Sequence, residues 1–215
     1  ILVSPQTVKC LPSTQNSPKT ILDIQPDEIR CPLDLPHQVF CPSSCSCERR
    51  SFDKYLLITC FQIDKIPPLP PYKDIKDINL EKIELKIERN AVTELPSKFK
   101  DKVYNDVTRI FASHNIILVL ALQHLPDNLE YLDLKNNRLK HVSLDVVTKL
   151  STLTFIQLSD NLWNCTSSLD LVKFVKNRRD VVKDFNLIRC TSKKYFLEID
   201  TDERCEDEII VTVAI

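Results

Sequence analysis

Residues 129–139 read Leu-Glu-Tyr-Leu-Asp-Leu-Lys-Asn-Asn-Arg-Leu and carry the clearest pattern in the chain. Its apolar residues and one asparagine follow the order L-x-x-L-x-L-x-x-N-x-L. Leu132 and Leu134 are two positions apart, so a short strand places both side chains on one face. An amphipathic helix repeats its apolar residues at intervals of three and four, which this order fits badly. The stretch therefore predicts a short strand followed by a bend at Asn137.

The same order recurs along the chain, with its asparagines at positions 90, 115, 137 and 161. The matching apolar residues in the other three copies are Leu85, Ile87 and Val92; Val107, Ile110, Ala112 and Ile117; and Leu153, Ile156 and Leu158. The first copy is weaker because Lys82 stands at its first apolar position. A period of about 20–29 residues with this pattern is typical of leucine-rich repeats. Such repeats stack parallel strands into a curved solenoid, in which we expect each asparagine to bond backbone groups of neighbouring coils.

Charge and hydropathy exclude several classes of protein. The 215 residues include 29 basic and 30 acidic ones, interspersed, for a net charge of −1. These charges form no basic patch of the kind that binds nucleic acid, so we predict no nucleic-acid partner. No run reaches the roughly 20 apolar residues of a membrane-spanning helix. The apolar segment 209–215 is expected to be either a short final strand or the beginning of a spanning helix that follows it.

Nine cysteines cluster outside the repeats, and none lies between Cys60 and Cys165. Disulfides that seal both ends of a solenoid explain this distribution and imply an oxidising, extracellular setting. Zinc held by Cys41, Cys45, Cys47 and Cys60 is the alternative. Their Cys-x-x-x-Cys-x-Cys spacing departs from the paired knuckles that zinc favours. We therefore predict no metal and no cofactor.

Stacked repeats leave a hydrophobic end at each terminus, which caps must cover. Residues 55–59 (Tyr-Leu-Leu-Ile-Thr) predict the first strand of an N-terminal cap, and the proline-rich segment 67–71 predicts a loop. Residues 169–178 carry apolar side chains at helical spacing. They predict a short helix lying over the last coil.

Three motifs carry a resemblance to a known family. Cys41-Pro-Ser-Ser-Cys-Ser-Cys followed by Cys60 resembles the N-terminal cysteine cap of leucine-rich repeat proteins, and Asn161-Leu-Trp-Asn-Cys resembles the Asn-Pro-Trp-x-Cys beginning of a C-terminal cap. Cys10 and Cys31-Pro-Leu-Asp resemble the tail of an earlier C-terminal cap. This back-to-back order is similar to the membrane-proximal part of the leucine-rich repeat ectodomain in insect-type Toll receptors, of the Toll-like receptor family.

The resemblance implies a mostly β fold with short helices, a leucine-rich repeat solenoid with cysteine-rich N- and C-terminal caps. The implied organisation is the tail of an upstream cap in residues 1–40, an N-terminal cap in 41–72, about four repeats in 73–162, a C-terminal cap in 163–205, and a juxtamembrane segment or the start of a transmembrane helix in 206–215.

The resemblance also implies disulfide pairs. These are Cys41 with Cys47, Cys45 with Cys60, and Cys165 with Cys190. Cys205 lacks its family partner, because Ser167 stands where the family has a cysteine. Cys10 and Cys31 are expected to be free, bonded to each other, or paired with cysteines further upstream.

The implied function is that of a cell-surface receptor, on the extracellular side of a single-pass membrane protein. Such receptors bind a cystine-knot cytokine (Spätzle-like), form homodimers and signal through a cytoplasmic domain, with no enzymatic activity of their own. The alternative is a secreted or membrane-attached leucine-rich repeat protein for cell adhesion or axon guidance. A hydrolase has only unarranged serines and histidines in its favour.

Candidate contacts lie at the strand positions that alternate with the core leucines, on the predicted concave face. They are Arg109, Phe111, Tyr131, Asp133, Phe155 and Gln157, whose aromatic members predict a stripe across adjacent coils. The alternative is a solvated or glycan-covered face, with ligand contacts on an upstream solenoid. Asn164-Cys165-Thr166 is a possible glycosylation site. The four histidines, His37, His114, His124 and His141, are expected at the surface.

Overall fold

The computed structural model describes residues 11–12, 29–32, 41–50, 55–70 and 82–201. Within these residues, eight strands form one sheet in chain order. The strands are β1 (Leu11–Pro12), β2 (Ile29–Pro32), β3 (Cys45–Arg50), β4 (Tyr55–Cys60), β5 (Lys82–Lys86), β6 (Val107–Phe111), β7 (Tyr131–Asp133) and β8 (Phe155–Gln157). Strands β1 to β4 pair antiparallel and strands β4 to β8 pair parallel. One parallel strand per repeat is the arrangement of a solenoid.

In the part of the chain that the structure describes, two α-helices lie in the connections, α1 (Leu144–Leu150) and α2 (Leu169–Asn177). Single 3₁₀ turns occur at Val103–Asp106, Leu122–His124 and Phe196–Glu198. The helix predicted over the last coil is α2, which ends at Asn177. The predicted fold class is confirmed: a mostly β leucine-rich repeat solenoid with short helices and cysteine-rich caps. The domain bounds stay predictions. The predictions made for Cys10, His37, Cys205 and the apolar segment 209–215 concern residues that lie outside the described ranges.

The repeat leucines form the core, as their spacing predicts. Leu132, Leu134, Ile156 and Leu158 are fully buried. One continuous cluster of buried apolar side chains runs from Leu56 in β4 to Phe196 beyond α2. Full burial of such a side chain contributes about 1.5–3 kcal/mol. Among the helices of the described ranges, none combines the length and hydropathy that crossing a membrane requires.

An asparagine ladder, formed by Asn90, Asn115, Asn137 and Asn161, joins successive coils at the bend after each strand. Asn137 shows the pattern: its Oδ1 accepts the Ile117 N–H at 3.0 Å, and its Nδ2 donates to the Ala112 carbonyl at 3.0 Å. The other three amides bond the preceding coil in the same way. These backbone groups have no strand partner, so the amides satisfy donors and acceptors that would otherwise be buried unpaired.

Removal of one ladder amide tests this account. Asn137→Ala leaves the buried Ile117 N–H unpaired and removes one of the two amide donors to the Ala112 and Leu134 carbonyls. We therefore expect the free energy of unfolding to fall by about 2 kcal/mol. Asn90→Ala is the matched control, because Asn90 is only half-buried and water can replace part of its amide. Chemical denaturation measures both. Equal losses at the two positions would contradict the ladder's dependence on burial.

The residue before each ladder asparagine adopts a left-handed backbone conformation. Arg89, His114, Asn136 and Asp160 have φ values of 56°, 57°, 53° and 56°. Glycine takes this conformation without steric cost, but the chain contains none. Asparagine and aspartate tolerate it better than other residues, whereas arginine and histidine bear the cost of roughly 1–2 kcal/mol.

Arg89→Gly should therefore stabilise the domain by about 1 kcal/mol, since the steric relief exceeds the extra freedom of the unfolded chain. Ala91→Gly, two residues along the same bend, serves as the control. Ala91 lies outside the left-handed region, so the same change there should cost about 0.5 kcal/mol. Thermal and denaturant unfolding measure the change in stability of both variants. A loss of stability in Arg89→Gly would contradict the argument.

The C-terminal cap continues the ladder with different side chains. Residues 181–183 pair with β8 through the Ile156–Val182 bridge. The buried carboxylate of Asp184 then accepts the N–H groups of Leu158 at 2.9 Å and Ser159 at 2.7 Å. Trp163 donates its indole N–H to the Leu158 carbonyl at 3.0 Å. Asp184 and Trp163 thus complete the bonds that a further coil would supply.

One expectation about histidine is wrong. His124 is buried at 2 % exposure, not at the surface. Its Nδ1 accepts the Ala121 N–H at 3.2 Å, and its Nε2 lies 3.1 Å from the Glu94 carboxylate. The ring bonds back to Ala121, the residue before the 3₁₀ turn Leu122–His124, and so closes that turn. His114 and His141 are exposed.

Candidate functional site

The pairing of β5 with β6 shifts register between Ile83 and Glu84, and from Glu84 onward strands β5 to β8 pair in one register, which places the candidate contacts in rows. Arg109, Tyr131 and Phe155 are direct neighbours across three strands. Phe111, Asp133 and Gln157 form the adjacent row. Alternation along a strand turns these side chains away from the core leucines. We call this surface the outer sheet face, defined by Tyr55, Glu84, Lys86 and these six residues.

Three aromatic rings stack across the outer sheet face. The rings of Tyr131 and Phe155 lie nearly parallel, 9° apart, with centroids separated by 4.1 Å. The Phe111 ring is tilted by 32° against Tyr131 at 4.4 Å. Aromatic pairs at such distances add about 0.5–1.5 kcal/mol beyond their buried area. The stack fixes three large side chains before any partner arrives.

Cations flank the aromatic rings. The Lys86 ammonium lies 5.0 Å from the centre of the Phe111 ring, and the Arg109 guanidinium lies 5.5 Å from that of Tyr55. Both distances fall within the range of cation–π attraction. Tyr55 belongs to β4 of the N-terminal cap, and the sequence indicated it only as a strand residue. Its contribution to the face follows from the parallel pairing of β4 with β5.

A buried carboxylate holds these cations in place. Glu84 is only 3 % exposed. Its oxygens lie 3.3 Å from the Lys86 ammonium and 3.6 Å from the Arg109 guanidinium. Because two cations surround Glu84, its charge is compensated where water cannot reach it. Nothing in the sequence indicated that Glu84 would be buried.

Asp133 is the second nearly buried acid, at 7 % exposure. Burial raises the pKa of its carboxyl, and the negative charge of Glu88 adds to the rise, while the Lys135 N–H donates to it at 2.9 Å and opposes it. Burial likewise raises the pKa of Tyr131 to about 12, with contributions from the charges of Asp133 and Glu88. The centre of the face therefore disfavours additional negative charge.

Asp133→Asn tests this electrostatic description. A raised folded-state pKa means that ionised Asp133 costs stability at pH values above it, and that the cost fades as pH falls through that value. The amide can still accept the Lys135 N–H. We therefore expect Asp133→Asn to raise the free energy of unfolding at neutral pH, with the gain disappearing below about pH 3.8, the ordinary value for aspartate.

Denaturation at a series of pH values measures the effect. Asp64→Asn, at an exposed loop position, is the control and should leave the pH dependence unchanged. A gain for Asp133→Asn that persists unchanged in acid would contradict the assignment.

The cysteines of both caps are brought together in the structure. Disulfides join Cys41 to Cys47, Cys45 to Cys60, and Cys165 to Cys190. Cys31 lies in β2, with its backbone opposite Arg49; its pairing stays a prediction. Ser167, at the position of the missing family cysteine, is exposed and donates its hydroxyl to the Asn164 carbonyl at 3.2 Å.

The outer sheet face can bind a partner through rigid aromatic and charged groups. Tyrosine, tryptophan and arginine dominate the binding energy of protein interfaces. Stacked rings and paired cations lose little conformational freedom when they are covered, which favours affinity. Across the described ranges, His, Cys, Asp and Glu form no cluster of three suited to a metal ion.

The chain aligns with curated relatives and solved structures. It is 28 % identical to "Protein toll" of Drosophila melanogaster over 207 residues, which is 91 % of the chain but 18 % of that protein. It superposes on Toll in the Toll–Spätzle complex of Drosophila with a TM-score of 0.74, 29 % identity, 83 % of the chain and 23 % of that structure. The resemblance to insect-type Toll ectodomains is thereby confirmed. The chain has the architecture of a Toll-type receptor ectodomain.

A second relative is leucine-rich repeat-containing protein 3B of Danio rerio, 26 % identical over 179 residues. That alignment covers 79 % of the chain and 65 % of the relative. The chain thus spans less than a fifth of Toll and just under two thirds of the zebrafish protein. No protein-family profile matches it.

Proposed function

We propose that this chain is part of the extracellular region of a Toll-type receptor that binds a cystine-knot cytokine and forms a homodimer through or near this module. The receptor lies at the cell surface, spans the membrane once and has no enzymatic activity of its own. The observation that carries the proposal is the similarity to Toll, in sequence and in fold, over most of the chain. The superposed Toll structure is a complex with Spätzle.

The side chains of the outer sheet face also support the proposal. It offers a preformed aromatic stack beside an Arg109–Glu84–Lys86 ion-pair cluster. A surface of aromatic anchors surrounded by charged groups fits a protein partner better than a small molecule. The proposal assigns this face to the cytokine or to the second receptor copy.

A binding protein without a signalling domain is the second candidate, with adhesion or axon guidance as its role. The match to leucine-rich repeat-containing protein 3B keeps this candidate open, because a protein not named as a Toll receptor aligns with 79 % of the chain. The reading frame after residue 215 separates the two. A spanning helix followed by a Toll/interleukin-1 receptor domain supports the receptor, and a stop codon or lipid-anchor signal supports the alternative.

The experiment uses the full-length receptor at the cell surface. The double variant Tyr131→Ala, Phe155→Ala removes the parallel ring pair, and we expect a loss of at least about tenfold in sensitivity to a cystine-knot cytokine, equivalent to about 1.4 kcal/mol. The control is Leu118→Ala, Leu144→Ala, which truncates two exposed apolar side chains outside the face. Surface expression and thermal unfolding of each variant exclude misfolding as the cause.

Two readouts separate the roles of the face. Cytokine binding to the receptor measures direct contact, and cytokine-induced cross-linking of two receptor copies measures dimerisation. Deletion of residues 41–205 tests the whole module. If binding, cross-linking and signalling survive both changes at normal surface expression, the module acts only as a spacer and the proposal is wrong.

A further inference from the structure

The segment Asn164-Cys165-Thr166 stands at the beginning of the C-terminal cap with an unusual arrangement of its side chains. Asn164 and Thr166 are exposed, whereas Cys165 is buried in its disulfide with Cys190. The Asn164 Oδ1 accepts both the Thr166 N–H at 3.2 Å and the Thr166 hydroxyl at 2.7 Å. Its Nδ2 makes no hydrogen bond within the described part of the chain. The amide therefore presents a free nitrogen to solvent and a fixed oxygen to threonine.

We propose that Asn164 carries an N-linked oligosaccharide, and that it is attached before the Cys165–Cys190 bond closes. The residue types fit the acceptor pattern of asparagine, any residue except proline, then serine or threonine. The donor is an oligosaccharide on a lipid diphosphate. The Asn164 Nδ2 bonds to the anomeric carbon and loses one proton to a base of the transferase. The bond from that carbon to the diphosphate oxygen breaks, and the lipid diphosphate leaves with the electron pair.

The order of events follows from how tightly the folded cap holds this segment. The Asn164 N–H donates to the Lys140 carbonyl at 2.8 Å, and the Trp163 carbonyl accepts the Thr191 N–H at 2.8 Å. Trp163 also pairs with Cys190 as a β-bridge. A transferase must take the acceptor segment into its own site, and these bonds hold the segment on the protein once Cys165 and Cys190 are joined. Disulfide closure and glycosylation therefore compete for the same residues.

The surroundings of Asn164 are suited to an oligosaccharide. Leu118 donates its N–H to the Thr93 carbonyl, just as Asn164 donates to Lys140, so these residues lie on one flank of the solenoid. That flank exposes apolar side chains at Leu118, 51 % exposed, and at Leu162, 44 % exposed, two residues before Asn164. Exposed apolar surface of a secreted protein favours association unless something covers it. An oligosaccharide at Asn164 covers the Leu162 end of this flank.

The site is tested on the full-length protein made in eukaryotic cells. Enzymatic removal of N-linked oligosaccharides, which converts the modified asparagine to aspartate, should shift the protein to lower apparent mass and change the mass of the peptide containing Asn164. The shift should be lost in Asn164→Gln and Thr166→Ala and retained in Thr166→Ser. Asn186→Gln, at an exposed asparagine of the same cap outside the acceptor pattern, is the matched control and should behave as the parent.

The order is tested with Cys190→Ser, which leaves the acceptor segment intact but removes the partner of Cys165. Occupancy of Asn164, measured on the total cellular pool so that misfolded protein is counted, should rise at least twofold. Brief treatment of cells with a membrane-permeant reductant during synthesis should raise it in the unmodified sequence. An unmodified Asn164 peptide in both the parent and Cys190→Ser overturns the site. Equal occupancy under all these conditions overturns the order.

Discussion

The bend after each strand poses the constraint on which this structure depends. There the chain leaves the sheet, so a buried N–H and buried carbonyls lose the partners that strand pairing supplies. A single asparagine amide, with one acceptor and two donor hydrogens, meets all of them at once. Asn115 does so for Val92, Ile87 and Ala112, in bonds of 2.8–3.1 Å. Because each amide bonds its own coil and the coil before it, the ladder fixes the register between coils.

The register between coils brings side chains from different repeats into contact on the outer sheet face. Tyr131 and Phe155 come from different repeats, yet their rings stack because β7 and β8 pair residue for residue. The same pairing sets Glu84 of β5 opposite Arg109 of β6. A shift of one residue would turn core leucines outward and these side chains inward. The backbone bonds of the asparagine ladder and the side-chain contacts of the face are therefore parts of one cooperative arrangement.

The sequence predicted those features that a periodic pattern carries. The buried leucines, the strands and the asparagine bends recur at fixed offsets, and the structure shows each of them. The sequence did not predict features that depend on one side chain at a position outside the repeat pattern. The Asp184 carboxylate accepts two N–H groups at the end of the last strand, but no repeat marks its position. His124 is buried at the end of a 3₁₀ turn that its ring closes through a bond to Ala121, and its sequence neighbours do not indicate that environment.

The N-terminal cap closes one end of the solenoid and also contributes to the outer sheet face. Strand β4 pairs antiparallel with β3, as a closing hairpin requires, and parallel with β5, as a repeat requires. Since both pairings use one strand, β4 must follow the alternation of the repeats. Tyr55 therefore lies on the outer sheet face, where its ring meets the Lys82 ammonium at 5.7 Å and the Arg109 guanidinium at 5.5 Å. The disulfide from Cys45 to Cys60 at the far end of β4 anchors that strand to β3. A bond that closes the hydrophobic end of the solenoid thus also holds in position an aromatic ring of the candidate site.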